Sequence, residues 1–180
     1  MTCADYAWHE SEALAAERDR LHDEHPDPAA LGEIAVGPSP RLWERRPLDP
    51  SFLTVRLGTK TQPSQVTLDD PAQLEHRRTQ TWDIPEAPVL VDLRAGGPLG
   101  LAGEHAIPVA RWVTAQIATL HSPRDVQLYL LSGRPADSRG DDWAHLIWLP
   151  HTEPREGQDC RRTIALTATD AARRIAELLA

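Results

Sequence analysis

Apolar residues in the second half of the chain switch repeatedly between two spacings, and that switch narrows the available folds more than any other feature. Val89-Leu90-Val91-Asp92-Leu93 reads as a strand closed by a Gly96-Gly97-Pro98 turn. Leu99-Gly100-Leu101-Ala102-Gly103 is a short apolar run ending in glycine. Val109, Trp112, Val113, Ile117 and Leu120 then fall at helical spacing. Pro108 confines the start of that helix to residues 105–107, because proline is tolerated only in a first turn. Val126 to Leu131 reads as another strand, Trp143 to Trp148 as a short helix and Thr163 to Thr167 as a strand. Asp170 is placed to cap a last helix over 171–179. Strands alternating with helices need crossover connections, so the expectation is an α/β fold with a mainly parallel sheet at 99–102, 126–131 and 163–167. Strands at 52–58 and 89–93 would add an antiparallel or mixed portion, with helices 107–120 and 171–179 packed on the sheet.

The first 40 residues have a different rhythm. Residues 3–24 read as a helix with Ala7, Leu14 and Leu21 at heptad spacing and Glu and Arg between them. So thin a stripe predicts a helix that is weakly tied to the rest and seeks a partner. His25-Pro26-Asp27-Pro28 breaks it. Asp27 can cap a second helix that opens on Pro28 and runs to about Val36, where Gly37-Pro38 stops it. The expected division is a helical arm over 1–40 and an α/β domain over 41–180. Inside the domain Phe52 to Gly58 alternates at the strand period, Val66-Thr67-Leu68 is a short strand candidate, and 69–86 reads as a loop.

Charge removes some function classes. The formal net charge is −8 and Lys60 is the only lysine, which argues against a nucleic-acid binder, so DNA is not an expected partner. Cys3 and Cys160 have no metal-site spacing and read as reduced thiols. No run reaches the roughly 18–20 apolar residues that cross a bilayer, so the chain reads as soluble and intracellular.

Several smaller features invite chemistry. His22 with His25, and His145 with His151, are spaced for a metal, but no cysteine or carboxylate completes a set, so no metal is expected. Asp137, Asp141 and Asp142 lack the spacing and final Glu of a calcium loop. His121, Ser122 and Asp125 are sequence neighbours, whereas a hydrolytic triad is assembled from distant positions. The doublets Arg45-Arg46, Arg77-Arg78, Arg161-Arg162 and Arg173-Arg174 read as solubilising surface. Trp112 falls on the helix face and reads as core, while Trp43, Trp82, Trp143 and Trp148 read as core or as anchors for neighbouring modules, most of them as core.

A set of strings points to a family. Leu42-Trp43-Glu44-Arg45-Arg46-Pro47, Asp49-Pro50, Phe52-Leu53 and Val55-Arg56-Leu57-Gly58 are followed by Gly100-Leu101-Ala102-Gly103. Leu120-His121-Ser122-Pro123-Arg124-Asp125 and Trp148-Leu149-Pro150-His151 come after them. In this order, over residues 41–180, they resemble the cytosolic segment between the membrane helices and the first ATPase module of type VII secretion motors, the EccC/EssC group of the FtsK/SpoIIIE ATPases. The resemblance implies a three-layer, P-loop-NTPase-like sheet with residues 1–40 as the stalk that follows the membrane helices.

It also implies where a nucleotide site would be. An active member carries a strand, a glycine-rich loop, a Lys-Ser/Thr pair and a helix, so that backbone N–H groups cradle phosphate and the hydroxyl holds magnesium. Here the loop opens at Gly103, followed by Glu104, His105, Ala106 and Ile107. Val109 and Ala110 stand where Lys and Ser/Thr would be, and the next strand ends in Ser132 instead of an acid. Arg111 is the nearby cation that could substitute, and Glu104 would repel phosphate. Phosphoryl transfer depends on positioning and charge neutralisation, so the expectation is a pseudo-ATPase that holds no cofactor, or at most ATP and magnesium without hydrolysis. Expected partners are downstream ATPase modules of the same polypeptide, other copies of the chain and other secretion subunits, at the cytoplasmic face of the plasma membrane.

Overall fold

The computed structural model describes residues 3–65, 82–132 and 140–179, with side chains from residue 11 onward and not at 140–142. The long helix α1 spans Cys3–Glu24 and α2 spans Pro28–Val36. Asp27 caps α2 by accepting from the Ala30 N–H at 2.9 Å, with Pro28 in the first turn, as its sequence dictates. Strands β1 (Thr54–Pro63) and β2 (Asp83–Asp92) follow, then α3 (Ala106–Leu120), β3 (Leu130–Leu131), β4 (Ile164–Ala165) and α4 (Ala168–Leu179). Single 3-10 stretches cover Gly140–Trp148 and Pro150–Thr152.

The described elements form a mixed α/β arrangement, and its pairing departs from the mainly parallel expectation. There are two two-stranded sheets among the described residues: β1 with β2, antiparallel, and β3 with β4, parallel. Leu99–Ala102, expected as one strand of the parallel sheet, is in no strand, and 126–131 and 163–167 pair only over two residues each. Periodicity reports which side chains are apolar, but a strand also needs a neighbour for its backbone groups. Residues 83–86, expected in a loop, belong to β2. The strand candidate at 66–68 and most of the expected 69–86 loop lie outside the described residues.

At the last helix Thr167 replaces Asp170 as the cap. The Thr167 hydroxyl accepts from the Asp170 N–H at 3.1 Å and donates to the Asp170 carboxylate at 2.7 Å, a reciprocal pairing that opens α4 at Ala168. A small apolar core joins Leu31 and Ile34 of α2 to Leu120 of α3, with Trp112 packed against it. In β1 the consecutive residues Val55 and Arg56 are both buried. Neighbouring strand residues point to opposite faces, so both faces of β1 are covered at this point. Among the described residues, no helix is long and apolar enough to cross a membrane.

Candidate functional site

The buried polar residues His25, Arg45 and Arg56 meet at the carboxyl end of α1. A helix ends with carbonyls that lack intrahelical partners and carries partial negative charge there. Three consecutive carbonyls at this end are each taken by a different arginine. Arg41 Nη2 donates to Asp23 O at 2.7 Å, Arg45 Nη2 to Glu24 O at 2.7 Å, and Arg56 Nη1 to His25 O at 2.9 Å. Arg45 and Arg56 are only 3% and 6% exposed, and among the described residues no carboxylate pairs with either. Their charge faces backbone oxygens and the helix terminus instead. Arg45 Nη1 also donates to Thr54 O at 2.6 Å and Ser51 O at 3.4 Å, so one guanidinium ties α1 to the start of β1. Burial pushes the Arg45 guanidinium below its usual value, yet an arginine keeps its charge near neutrality. Arg41 lies nearer solvent and adds ion pairs to Asp23 at 3.1 Å and Glu44 at 3.0 Å.

The same segment closes the carboxyl end of α3. The Ala118 carbonyl accepts from Trp43 Nε1 at 3.1 Å, Thr119 O from the Trp43 N–H at 2.9 Å, and Leu120 O from the Arg45 N–H at 2.9 Å. Ile117 O accepts from the His121 N–H at 3.0 Å. Residues 43–45 thus run between two helix ends, with Arg45 bonded to both. Trp43 is held at φ 59 there, a left-handed conformation unusual for a bulky side chain. From the other side, Gln116 of α3 treats β1 as a missing strand would. Its Oε1 accepts from the Arg56 N–H at 2.8 Å and its Nε2 donates to Arg56 O at 2.9 Å, while Trp112 Nε1 donates to the same carbonyl at 2.6 Å. The β1–β2 register shifts between Arg56 and Gly58, and that bulge turns the Arg56 peptide toward the helix.

Three buried histidines complete the joint as neutral rings. His121, 0% exposed, accepts from the Leu53 N–H at Nε2 (2.9 Å), which leaves Nδ1 to donate to Ile117 O at 3.2 Å. His151, 1% exposed, donates from Nε2 to His121 O at 2.7 Å and keeps a bare, unpartnered Nδ1. His25 Nδ1 accepts from Arg45 Nη2 at 3.3 Å. Burial pushes both His25 and His121 down to about 4, helped by the Arg45 guanidinium, and burial lowers His151 as well. Edge-on rings add to the packing, Phe52 against His121 at 5.2 Å and Trp43 against His151 at 6.4 Å. From His151 the bonding continues into the second sheet, since its carbonyl takes the Leu128 N–H at 2.8 Å and Thr152 O takes the Thr163 N–H at 2.9 Å.

The expected nucleotide position lies at the opposite end of α3. Gly103 turns the chain at φ 99, where a side chain would be strained, and Ala106 opens the helix. Glu104 and His105 are largely exposed and pair with each other at 3.1 Å. His105, at the cap position, gives the helix no side-chain bond. Ile107 and Arg111 are exposed on the first turns. Ser132 follows β3, and its N–H bonds Ala165 O at 2.8 Å, within the β3–β4 sheet. Gly103 to Arg111 are therefore brought together along one helix start, while Ser132 belongs to a sheet that Leu99–Ala102 does not join.

Several readings change. Arg45 and Arg174 are buried members of doublets expected at the surface, because backbone carbonyls accept from them. Arg77-Arg78 and Asp137 lie outside the described residues. Trp148, expected in the core, is 80% exposed, whereas Trp43 and Trp112 are anchored by their N–H groups. The expected loose arm is tied along its second half. Glu17 accepts from the Ser64 hydroxyl and, at 3.1 Å, from the Gln65 N–H, and His22 Nε2 bonds Glu86 O at 3.1 Å. Sequence reasoning missed the clamp because its arginines grip backbone, which no side-chain pattern records. The available signal was that Arg45 and Arg56 sit inside the very strings that carry the family resemblance.

No family model matches the chain. The ESX-4 secretion system protein EccC4 of Mycobacterium tuberculosis is 32% identical over 158 residues, covering 79% of this chain and 12% of that protein. The ESX-3 secretion system protein EccC3 of the same organism is 35% identical over 145 residues, 72% of this chain and 10% of that protein. The type VII secretion system protein EssC of Staphylococcus aureus is 26% identical over 164 residues, 84% of this chain and 11% of that protein. The chain spans about a tenth of the length of these curated relatives.

Proposed function

The chain belongs to the EccC/EssC group of type VII secretion proteins, and from that premise we propose that it is a non-catalytic coupling element of the secretion motor. In this reading α1 is the stalk on the membrane side and residues 41–180 are a degenerate P-loop-like domain that passes its position to downstream ATPase modules. The work is done at the cytoplasmic face of the plasma membrane, in contact with other copies and other secretion subunits. The observation that carries it is the clamp: Arg41, Arg45 and Arg56 grip Asp23 O, Glu24 O and His25 O, so a displacement of α1 is delivered to β1 and α3 instead of being lost in a hinge. Arginine suits this role because its planar fork holds two acceptors in fixed directions.

The test belongs in the full-length secretion protein. Arg41→Ala and Arg56→Met should leave subunit assembly and ATP hydrolysis in place while export falls at least tenfold. Export at the parental level with a broken clamp would sink the reading.

A second reading keeps a nucleotide at the amino end of α3. It is supported by the left-handed Gly103 and the uncapped helix start, and opposed by Glu104. ATP with magnesium would then sit on the N–H groups of Glu104, His105 and Ile107, with Arg111 as the nearest cation and Ser132 contributing at most a hydroxyl. In either reading the chain, given magnesium and ATP, releases phosphate no faster than buffer, since Val109 and Ala110 replace the lysine and the loop hydroxyl and Ser132 replaces the strand-end carboxylate. Titration calorimetry with ATP separates the two: heat that saturates favours the second.

A further inference from the structure

A second polar centre lies far along the chain from the clamp, where the 159–164 segment meets α4. A cleft of about 290 Å³ opens there, and four arginines line it, Arg161, Arg162, Arg173 and Arg174, with Asp159 and Asp170 beside them. Arg174 is 4% exposed. Its Nη2 is fully engaged, donating to Asp159 O at 2.8 Å and pairing with Glu177 at 2.8 Å. Its Nη1 is buried and has no hydrogen-bond partner. A buried, unfilled donor on a charged group is costly, by about 1–3 kcal/mol or more. Arg174 is one of the residues lining the cleft, and Glu177 Oε2, on its ion-pair partner, is likewise buried and unpartnered. Arg162 Nη1 lies 3.2 Å from Glu153 in an ion pair without a hydrogen bond, whereas Arg161 and Arg173 are exposed and neither forms an ion pair among the described residues.

We propose that this cleft is a binding site for a phosphate-bearing small molecule, with Arg174 Nη1 as its fixed donor and Arg161 and Arg173 closing over it. One guanidinium fork satisfies a carboxylate, but a phosphate group has three or four acceptor oxygens and bridges several guanidiniums at once. The cleft is slightly smaller than the roughly 300–1,000 Å³ of whole-ligand pockets, so it takes the phosphate and a small part of whatever carries it. At the start of α4 the Asp170 N–H is already taken by the Thr167 hydroxyl and the Ala171 N–H by Thr167 O. The site is separate from Gly103 and from the arginine clamp, and it does not depend on either reading of function.

The test is an NMR titration of the whole chain with inorganic phosphate and with pyrophosphate, at ionic strength held constant with sodium chloride. Amide shifts confined to residues 159–174, with pyrophosphate at least tenfold tighter than phosphate, are expected. Arg161→Ala with Arg173→Ala should weaken binding at least tenfold and leave the melting temperature unchanged, because both side chains are exposed. Arg46→Ala, a surface control elsewhere, should change nothing. Shifts spread over the whole basic surface, an affinity unaltered by the double variant, or no shifts at all would each overturn the site.

Discussion

The two ends of α3 are built to opposite standards. At the carboxyl end every one of the last four carbonyls, Ile117 to Leu120, has a partner supplied by Trp43, Arg45 or His121. Gln116 just before them is bonded to both backbone groups of Arg56. At the amino end Glu104 and His105 touch chiefly each other, in solvent. A nucleotide-hydrolysing domain concentrates its ordered polar groups at the amino end, where phosphate binds. Here order is concentrated at the end that Arg45 ties to the carboxyl end of α1.

The largest effect should come from Arg45. Arg45→Met leaves Glu24 O, Thr54 O and His25 Nδ1 buried without their donor, and should cost about 4 kcal/mol in urea unfolding. Arg45→Lys should recover less than half of that, because an ammonium cannot span the same acceptors. A loss below about 1 kcal/mol would mean the joint is ornamental.

Acid attacks the same end through its histidines. His25 and His121 are held neutral, with folded values of about 4 against an ordinary 6.5, and His151 is lowered too. The unfolded chain therefore takes up protons first as pH falls. Their contribution is complete above about pH 6.5 and drains away toward pH 4, each histidine by up to about 1.4 kcal/mol per pH unit. Thermal melts should fall steeply between pH 6.5 and 5 and be flat from 7 to 8. His121→Asn should flatten the acid limb.

Gln116→Leu keeps the volume and removes the link to β1. It should cost about 2 kcal/mol by chemical denaturation, as the buried Arg56 N–H loses its partner and Arg56 O keeps only Trp112 Nε1. The smallest effect belongs to the amino end: Glu104→Ala and His105→Ala should each change stability by less than about 0.5 kcal/mol. A loss there matching that of Gln116→Leu would erase the contrast between the two ends.

What the sequence discloses follows from what each element depends on. Helices α2 and α3 were legible because capping residues and apolar spacing are local: Asp27-Pro28 opens one, and Trp112 to Leu120 mark the inner face of the other. The β1–β2 pair was half legible, since its alternation is local while its length and bulges depend on the partner strand. The expected parallel sheet was misjudged because Leu99–Ala102 is apolar enough for a strand but has no neighbour among the described residues. The turn at Gly103 was legible from its glycine, and the backbone there is left-handed. The clamp was not, because Arg45 and Arg56 on paper are a basic doublet member and a strand's polar position. Only the approach of α1's end turns them into caps.

The central claim is that α1 and the body move as one piece. Amide hydrogen exchange on the chain tests it most directly, reading the last two turns of α1, residues 17–25, against the carboxyl half of α3. The clamp predicts equal protection of the two segments, and a selective loss in residues 17–25 when Arg41 and Arg45 are replaced together by alanine while α3 stays protected. Fast exchange of 17–25 in the parental chain beside a protected α3 would show a free arm, and would contradict the account.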